Sequence, residues 1–270
     1  MADWFLLVLG LGLIGCAAGF VGGLFGVGGG IILTPALFFA FGYFGVAEDV
    51  RTHAAVATSL SVIIATSMRS LAAHRARGAV DGAVLRSWGG WIAAGGAAGA
   101  GVASLVRGET LQAVFGVVAL GIALQMGLGR SSWRLGDTLP GGGLRALIGG
   151  VLGLLSAMMG IGGGAMGVTV MTLYGRPMHQ AVGTASGFGA LIAAPSVLGY
   201  VLAGWGAEGL APGSLGYVSI PGFFSLTLGS VLCAPLGARA AHALDSSLLR
   251  RLFAVFLGLT ALHFLARAWL

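Results

Sequence analysis

The first apolar run of the chain covers residues 4–46 and is broken only near its middle, by Gly28-Gly29-Gly30. It is too long for one membrane-spanning helix, which needs about 20 residues. Three successive glycines remove side-chain packing and admit positive φ, so they break a helix. The run therefore predicts two helical pieces around a break at membrane depth. Six further runs follow, over 54–68, 88–106, 111–128, 181–203, 215–238 and 252–270. Between the third and fourth of these, residues 146–174 repeat the opening pattern, cut this time by Gly162-Gly163-Gly164.

Composition agrees with a membrane domain. Hydrophobic residues make up 57% and charged residues 8% of the 270, against roughly 25% charged in a soluble domain. So few charges cannot cover a water-soluble enzyme. All 14 basic residues are arginine, and with eight acids the formal charge is +6. The arginines fall between apolar runs, where topology explains them better than nucleic-acid binding. Cys16 and Cys233 are far apart in sequence and read as small buried residues, with their redox compartment open. The N-terminus carries only Asp3 as an early charge and no basic n-region, so it reads as a retained membrane element rather than a cleaved signal.

Basic loops tend to stay cytoplasmic. Placing 69–86, 130–145 and 239–251 inside puts 107–110 and 205–214 outside; Arg176 also falls inside, and Arg51, Arg107 and Arg267 fall outside. Each glycine-cut run must then start and end on one side, the first outside and the second inside. The chain divides into two halves of similar design and opposite orientation, 1–135 and 136–270, within one membrane domain. The expected fold is an all-α polytopic membrane protein of two inverted repeats, each a glycine-interrupted hairpin plus about three spans. The halves share sequence too. Gly26-Val27-Gly28-Gly29-Gly30 matches Gly160-Ile161-Gly162-Gly163-Gly164, and Gly19 matches Gly153. The stretch from His53 to Ser59 matches that from His179 to Ala185 in the same order, and Val114-Phe115 resembles Leu252-Phe253. Interrupted segments in corresponding places of inverted halves are the pointer to a secondary transporter.

At these residues the chain resembles the TauE/SafE family of sulfite exporters and related membrane permeases. The doubled G-x-G-G-G carries the resemblance, with its continuation Gly28-Gly29-Gly30-Ile31-Ile32-Leu33-Thr34-Pro35 and the segments Val56-Ala57-Thr58-Ser59 and Val182-Gly183-Thr184-Ala185-Ser186. The second copy has Thr169 in place of the proline and Ala185 in place of the serine. The resemblance covers nearly the whole chain. It implies export of a small sulfur oxyanion or organosulfonate, driven by an ion gradient, in a bacterial inner membrane.

The residues supply a physical basis for an anion site. A break in the membrane must be buried or line a wet cavity. A helix restarting near Ile31 or Ala165 points unpaired N–H groups and its positive dipole end at that break. Candidate anion-binding residues are Gly28, Gly29, Gly30, Ile31, Gly162, Gly163, Gly164 and Ala165. Hydroxyls of Thr58, Ser59, Thr184 and Ser186 are further candidate donors, though Ser and Thr in spans also bond their own helix carbonyls. Histidine as a residue type can change charge near neutral pH, so the matched His53 and His179 are candidates for proton coupling. The four-spaced Gly15, Gly19 and Gly23, and the pair Gly95 and Gly99, suit helix packing instead. Five methionines, Met158, Met159, Met166, Met171 and Met178, crowd the second hairpin and read as gap fillers. No P-loop lysine, metal cluster, cofactor motif or nucleophile–base pair is present, so the chain reads as no enzyme. A carrier for a small anion in the lipid bilayer is the expected function, with an anion channel as the alternative and homo-oligomers open.

Overall fold

The computed structural model describes residues 2–25, 29–128, 134–243 and 246–269. Among them are ten helices and one short hairpin. Helices α1 (Ala2–Phe25) and α2 (Gly30–Tyr43) flank the first glycine cluster, and α6 (Gly142–Met159) and α7 (Gly164–Leu173) flank the second. Three longer helices follow each pair: α3 (Glu48–Ala76), α4 (Gly82–Leu105) and α5 (Gly108–Leu128), then α8 (Met178–Ala203), α9 (Ile220–Ala243) and α10 (Ser246–Trp269). Strands β1 (Ser214–Leu215) and β2 (Val218–Ser219) pair antiparallel just before α9.

Helices α3, α6 and α8 and most of α5 are each long and apolar enough to cross a bilayer. By contrast α7 has 10 residues, or about 15 Å at 1.5 Å per residue. That is half of the roughly 30 Å hydrocarbon core, so α7 alone is too short to cross it. The charged stretch 69–86, expected as a loop, is mostly helix. Here α3 continues to Ala76 and α4 begins at Gly82, leaving only 77–81 between them. A helix of 29 residues measures about 43 Å and outruns the apolar layer, so Arg69 and Arg75 ride its protruding end. Asp81 caps α4, its carboxylate accepting from the N–H groups of Ala83 and Val84, each at 3.1 Å.

The tightest pairings join distant segments: α1 lies along α9, α4 along α6, α5 along α10, and α3 along α8. Glycine makes two of these seams. A Cβ on Gly15 would stand 2.6 Å from the Leu226 carbonyl oxygen. Gly19 presses likewise on the Ser230 backbone, Gly229 on Gly12, Gly95 on Gly150 and Gly153 on Ile92. Backbones touch there without side chains between them, the small-residue packing of membrane helices. The packing role expected of Gly15, Gly19, Gly95 and Gly99 is what these contacts show, whereas the surroundings of Gly23 lie outside the described residues. The cysteines are not isolated: the thiols of Cys16 on α1 and Cys233 on α9 interact across that seam, and both are free. Aromatic packing ties α2 to the α5–α10 pair, with Phe38 5.2 Å and Phe115 4.9 Å from the ring of Phe264. Met158, Met159 and Met171 are buried in the core, consistent with a filling role.

Candidate functional site

Each glycine cluster has a left-handed residue at its middle position. Gly29 (φ 73°) caps α2 and Gly163 (φ 66°) caps α7, neither helped by a side chain. A Cβ is strained in that conformation, so glycine is required at both points. Without a capping side chain the first N–H groups of each helix depend on what lies in the break. In α2 the N–H groups of Ile32 and Leu33 both reach the Gly29 carbonyl at 3.0 Å. In α7 the N–H of Gly167 reaches the Gly163 carbonyl at 2.7 Å. The N–H groups of Gly164 and Ala165 have no protein acceptor among the described residues. Gly28 lies outside them.

The two clusters meet. A Cβ on Gly30 would stand 3.2 Å from the Gly160 carbonyl oxygen and 3.3 Å from the Gly162 nitrogen. Gly160 closes α6 in the left-handed conformation, φ 70°. Its N–H bonds the Ala157 carbonyl at 3.4 Å and the next N–H, of Ile161, bonds the Ser156 carbonyl at 2.9 Å. This is a Schellman ending. The Gly160 carbonyl then accepts two hydroxyls from the first half of the chain, Ser59 at 2.8 Å and Thr34 at 3.1 Å. So Ser59, a candidate anion donor, gives its hydrogen to the second cluster. Ser186 gives its hydrogen to the Gly183 carbonyl of its own helix at 2.7 Å. Ile31 and Ala165 are both buried.

The matched threonines are equivalent in structure. Thr58 on α3 accepts the N–H of Ser219, the residue before α9, at 3.0 Å. Thr184 on α8 accepts the N–H of Asp81, the residue before α4, at 2.9 Å. Both threonines are 0% exposed. The matched histidines are not equivalent. His53 is 5% exposed, with Nε2 3.0 Å from the Ala103 carbonyl and 3.2 Å from that of Val106. Two carbonyls at Nε2 fix the hydrogen there, and the buried Nδ1 has no partner. The ring stacks on Tyr217, centroids 5.1 Å apart. His179 is exposed.

Sequence reasoning missed three hydroxyls here: Thr34, Ser156, and Tyr200, which donates to the Ala157 carbonyl at 3.1 Å. The repeat comparison could not find them, because each lies outside the matched blocks or faces a non-hydroxyl residue in the other half. A cavity of about 780 Å³ lies elsewhere, at the loop 107–110 and the end of α10, lined in part by Glu48, Arg107, Glu109, Gln112, His263 and Arg267. None of its lining residues belongs to a glycine cluster. Its arginines are already matched, Arg107 to Glu109 and Arg267 to Glu48, so it presents no uncompensated guanidinium to an anion. No group of metal-ligating side chains occurs among the described residues.

A helical membrane protein whose helices break at paired glycine clusters is the class that this fold and site define. The chain belongs to the TauE/SafE sulfite exporter family, whose model matches residues 11–264. It is 30% identical to a "probable membrane transporter protein" of Haemophilus influenzae, over 93% of this chain and 95% of the relative. A protein of the same description from Methanocaldococcus jannaschii is 28% identical over 97% of each. A third, from Bacillus subtilis, is 30% identical over 67% of this chain and 72% of its own. No solved structure matches. The chain is thus an integral membrane transporter, and its family is one of transporters rather than enzymes.

Proposed function

We propose that the chain exports a small sulfur oxyanion or organosulfonate from the cytoplasm by alternating access of two inverted repeats, 1–135 and 136–270. The observation that carries this reading is the meeting of the two glycine segments, with Gly30 against Gly160 and Gly162. It brings the positive ends of α2 and α7 towards one central place, where an anion is held by backbone donors. The backbone from Gly29 to Ile31 and from Gly162 to Ala165 forms the site. The helix pairing supports the repeats. The first helix of each half lies along the fourth of the other, α1 with α9 and α6 with α4, while α3–α8 and α5–α10 pair across the middle. Exchanging α1–α5 with α6–α10 returns the same principal pairs. Thr58 and Thr184 belong to this frame: each holds the start of the opposite half's fourth helix.

The coupling ion is H+, and of the two matched histidines His53 is the one built for it. Its Nδ1 is buried and without a hydrogen-bond partner, whereas His179 is exposed. The membrane is the bacterial inner membrane. The test is counterflow in proteoliposomes loaded with unlabelled sulfite. A carrier accelerates uptake of labelled sulfite under these conditions; equal flux with and without internal sulfite means that the protein is a channel.

A further inference from the structure

We infer that Ser156 is an anion-coordinating residue, and that the anion seats asymmetrically, at the start of α7 rather than equally between the two halves. This rests on the reading of the chain as an anion carrier. Ser156 is 0% exposed, yet its Oγ has no hydrogen-bond partner. A buried serine on a helix ordinarily turns its hydroxyl to a carbonyl one turn back. Ser61, Thr66, Thr172 and Ser186 all do so in this protein. Leaving a hydroxyl buried and unpaired is unfavourable, so such a group calls for an explanation.

Its position supplies one. The Oγ of Ser156 lies 3.5 Å from the point that a Cβ on Gly163 would occupy. Gly163 is the left-handed cap of α7. The next two N–H groups, of Gly164 and Ala165, have no protein acceptor among the described residues. One hydroxyl and two backbone donors therefore lie at one end of a helix dipole. Leu152 and Ile192 stand 3.2 and 2.5 Å from the same point, so the place is walled by hydrocarbon and the end of the Ile192 side chain has to turn aside to admit the anion; an apolar wall strengthens each charge-assisted bond.

The first half is built differently. By the register that matches Gly26 to Gly160, the counterpart of Ser156 is Gly22, which has no hydroxyl. The atom nearest a Cβ on Gly29 is the carbonyl oxygen of Ala18, at 3.2 Å, and a carbonyl repels an anion. The ligand that fits the α7 end is a compact oxyanion with several acceptor oxygens, such as sulfite or a sulfonate group.

The experiment uses the purified full chain in detergent, with sodium sulfite and sodium methanesulfonate as probes and sodium chloride at equal ionic strength as reference. Binding is measured by calorimetry and thermal unfolding with and without probe. Ser156→Ala removes no protein–protein hydrogen bond, so its melting temperature without probe is expected to equal or exceed that of the wild type. Its affinity for the probe is expected to fall at least tenfold. Ser156→Cys, a weak donor of similar size, is expected to fall between the two. Thr34→Val, which removes a paired hydroxyl, is expected to melt lower and serves as the contrast. A wild-type protein that binds while Ser156→Ala binds equally well overturns the assignment of Ser156 alone. A lower melting temperature of Ser156→Ala without probe also overturns it, since the hydroxyl then has a structural partner. A wild-type protein that binds neither probe overturns the anion-carrier reading itself.

Discussion

The hydroxyl of Thr58 accepts the backbone N–H of Ser219 at 3.0 Å, joining residues 161 positions apart at the point where α9 begins. Thr184 does the same for Asp81 at the start of α4. Thr58→Val and Thr184→Val each leave a buried N–H without its partner, at a cost of about 1–3 kcal/mol. Each variant should melt lower in detergent, and sulfite affinity should change less than about threefold. A tenfold loss of affinity at unchanged melting temperature would move both residues into the anion site.

Alanine at the left-handed caps tests the backbone directly. At Gly163 a Cβ meets Ile192 at 2.5 Å and is strained by φ of 66°. At Gly29 the strain is similar, but the nearest atom stands at 3.2 Å. Gly163→Ala should therefore reduce labelled sulfite flux more than Gly29→Ala, each with normal membrane insertion. Wild-type flux in both would make the clusters packing devices only.

The seams predict a sharp contrast among glycines. Gly19→Val and Gly153→Val drive a side chain into the backbone of α9 or α4 and should yield no monodisperse protein. Gly12, Gly90, Gly101 and Gly121 have open space where a Cβ would go. Alanine at those helical positions should leave the melting temperature unchanged or raise it, by about 0.5–1 kcal/mol of stability each. Size-exclusion profiles and melting curves decide the matter.

Cys16 and Cys233 interact across the α1–α9 seam. A short thiol-to-thiol cross-linker should join them. With a protease site placed in the 134–141 segment, the two cleaved pieces should then run as one species on a non-reducing gel. Separate pieces would contradict the pairing of α1 with α9.

Orientation is tested by single cysteines in a background lacking Cys16 and Cys233. Thr138→Cys should react only with reagents that reach the cytoplasm, and Glu208→Cys with impermeant reagents added outside. The reverse pattern would turn the arginine-based map over.

Much of the helix plan was legible because lipid enforces it: long uncharged runs have to be helical, and consecutive glycines have to interrupt them. The break at Gly162-Gly163-Gly164 is an example, and the pieces on either side are α6 and α7. The boundaries at charge were less legible. Arg69 and Arg75 marked a loop in sequence, yet α3 carries them, since a helix is as content in water as in lipid once its backbone is bonded. The geometry of the candidate site was half legible. Gly29 and Gly163 were found because a repeated backbone requirement leaves a repeated residue. Thr58 and Thr184 were found by the same repetition, but repetition does not say what a hydroxyl bonds. Ser156 was invisible because its counterpart is Gly22: a device present in one half only leaves no trace in a comparison of halves. Nor could spacing reveal that Cys16 and Cys233 meet, since that depends on α1 crossing to the far end of the chain.

The crossing has a consequence for biosynthesis. Helix α1 is the first to leave the ribosome, and the groove that receives Gly15 and Gly19 is made of α9, nearly the last. At roughly 5–20 residues per second, the interval between them is on the order of tens of seconds. During that time α1 sits in the bilayer with its backbone seam turned to lipid. A nascent chain arrested before Ile220 cannot bury it. The protein is therefore assembled at the close of translation rather than half by half, and its first helix is the segment that insertion factors have to shelter longest.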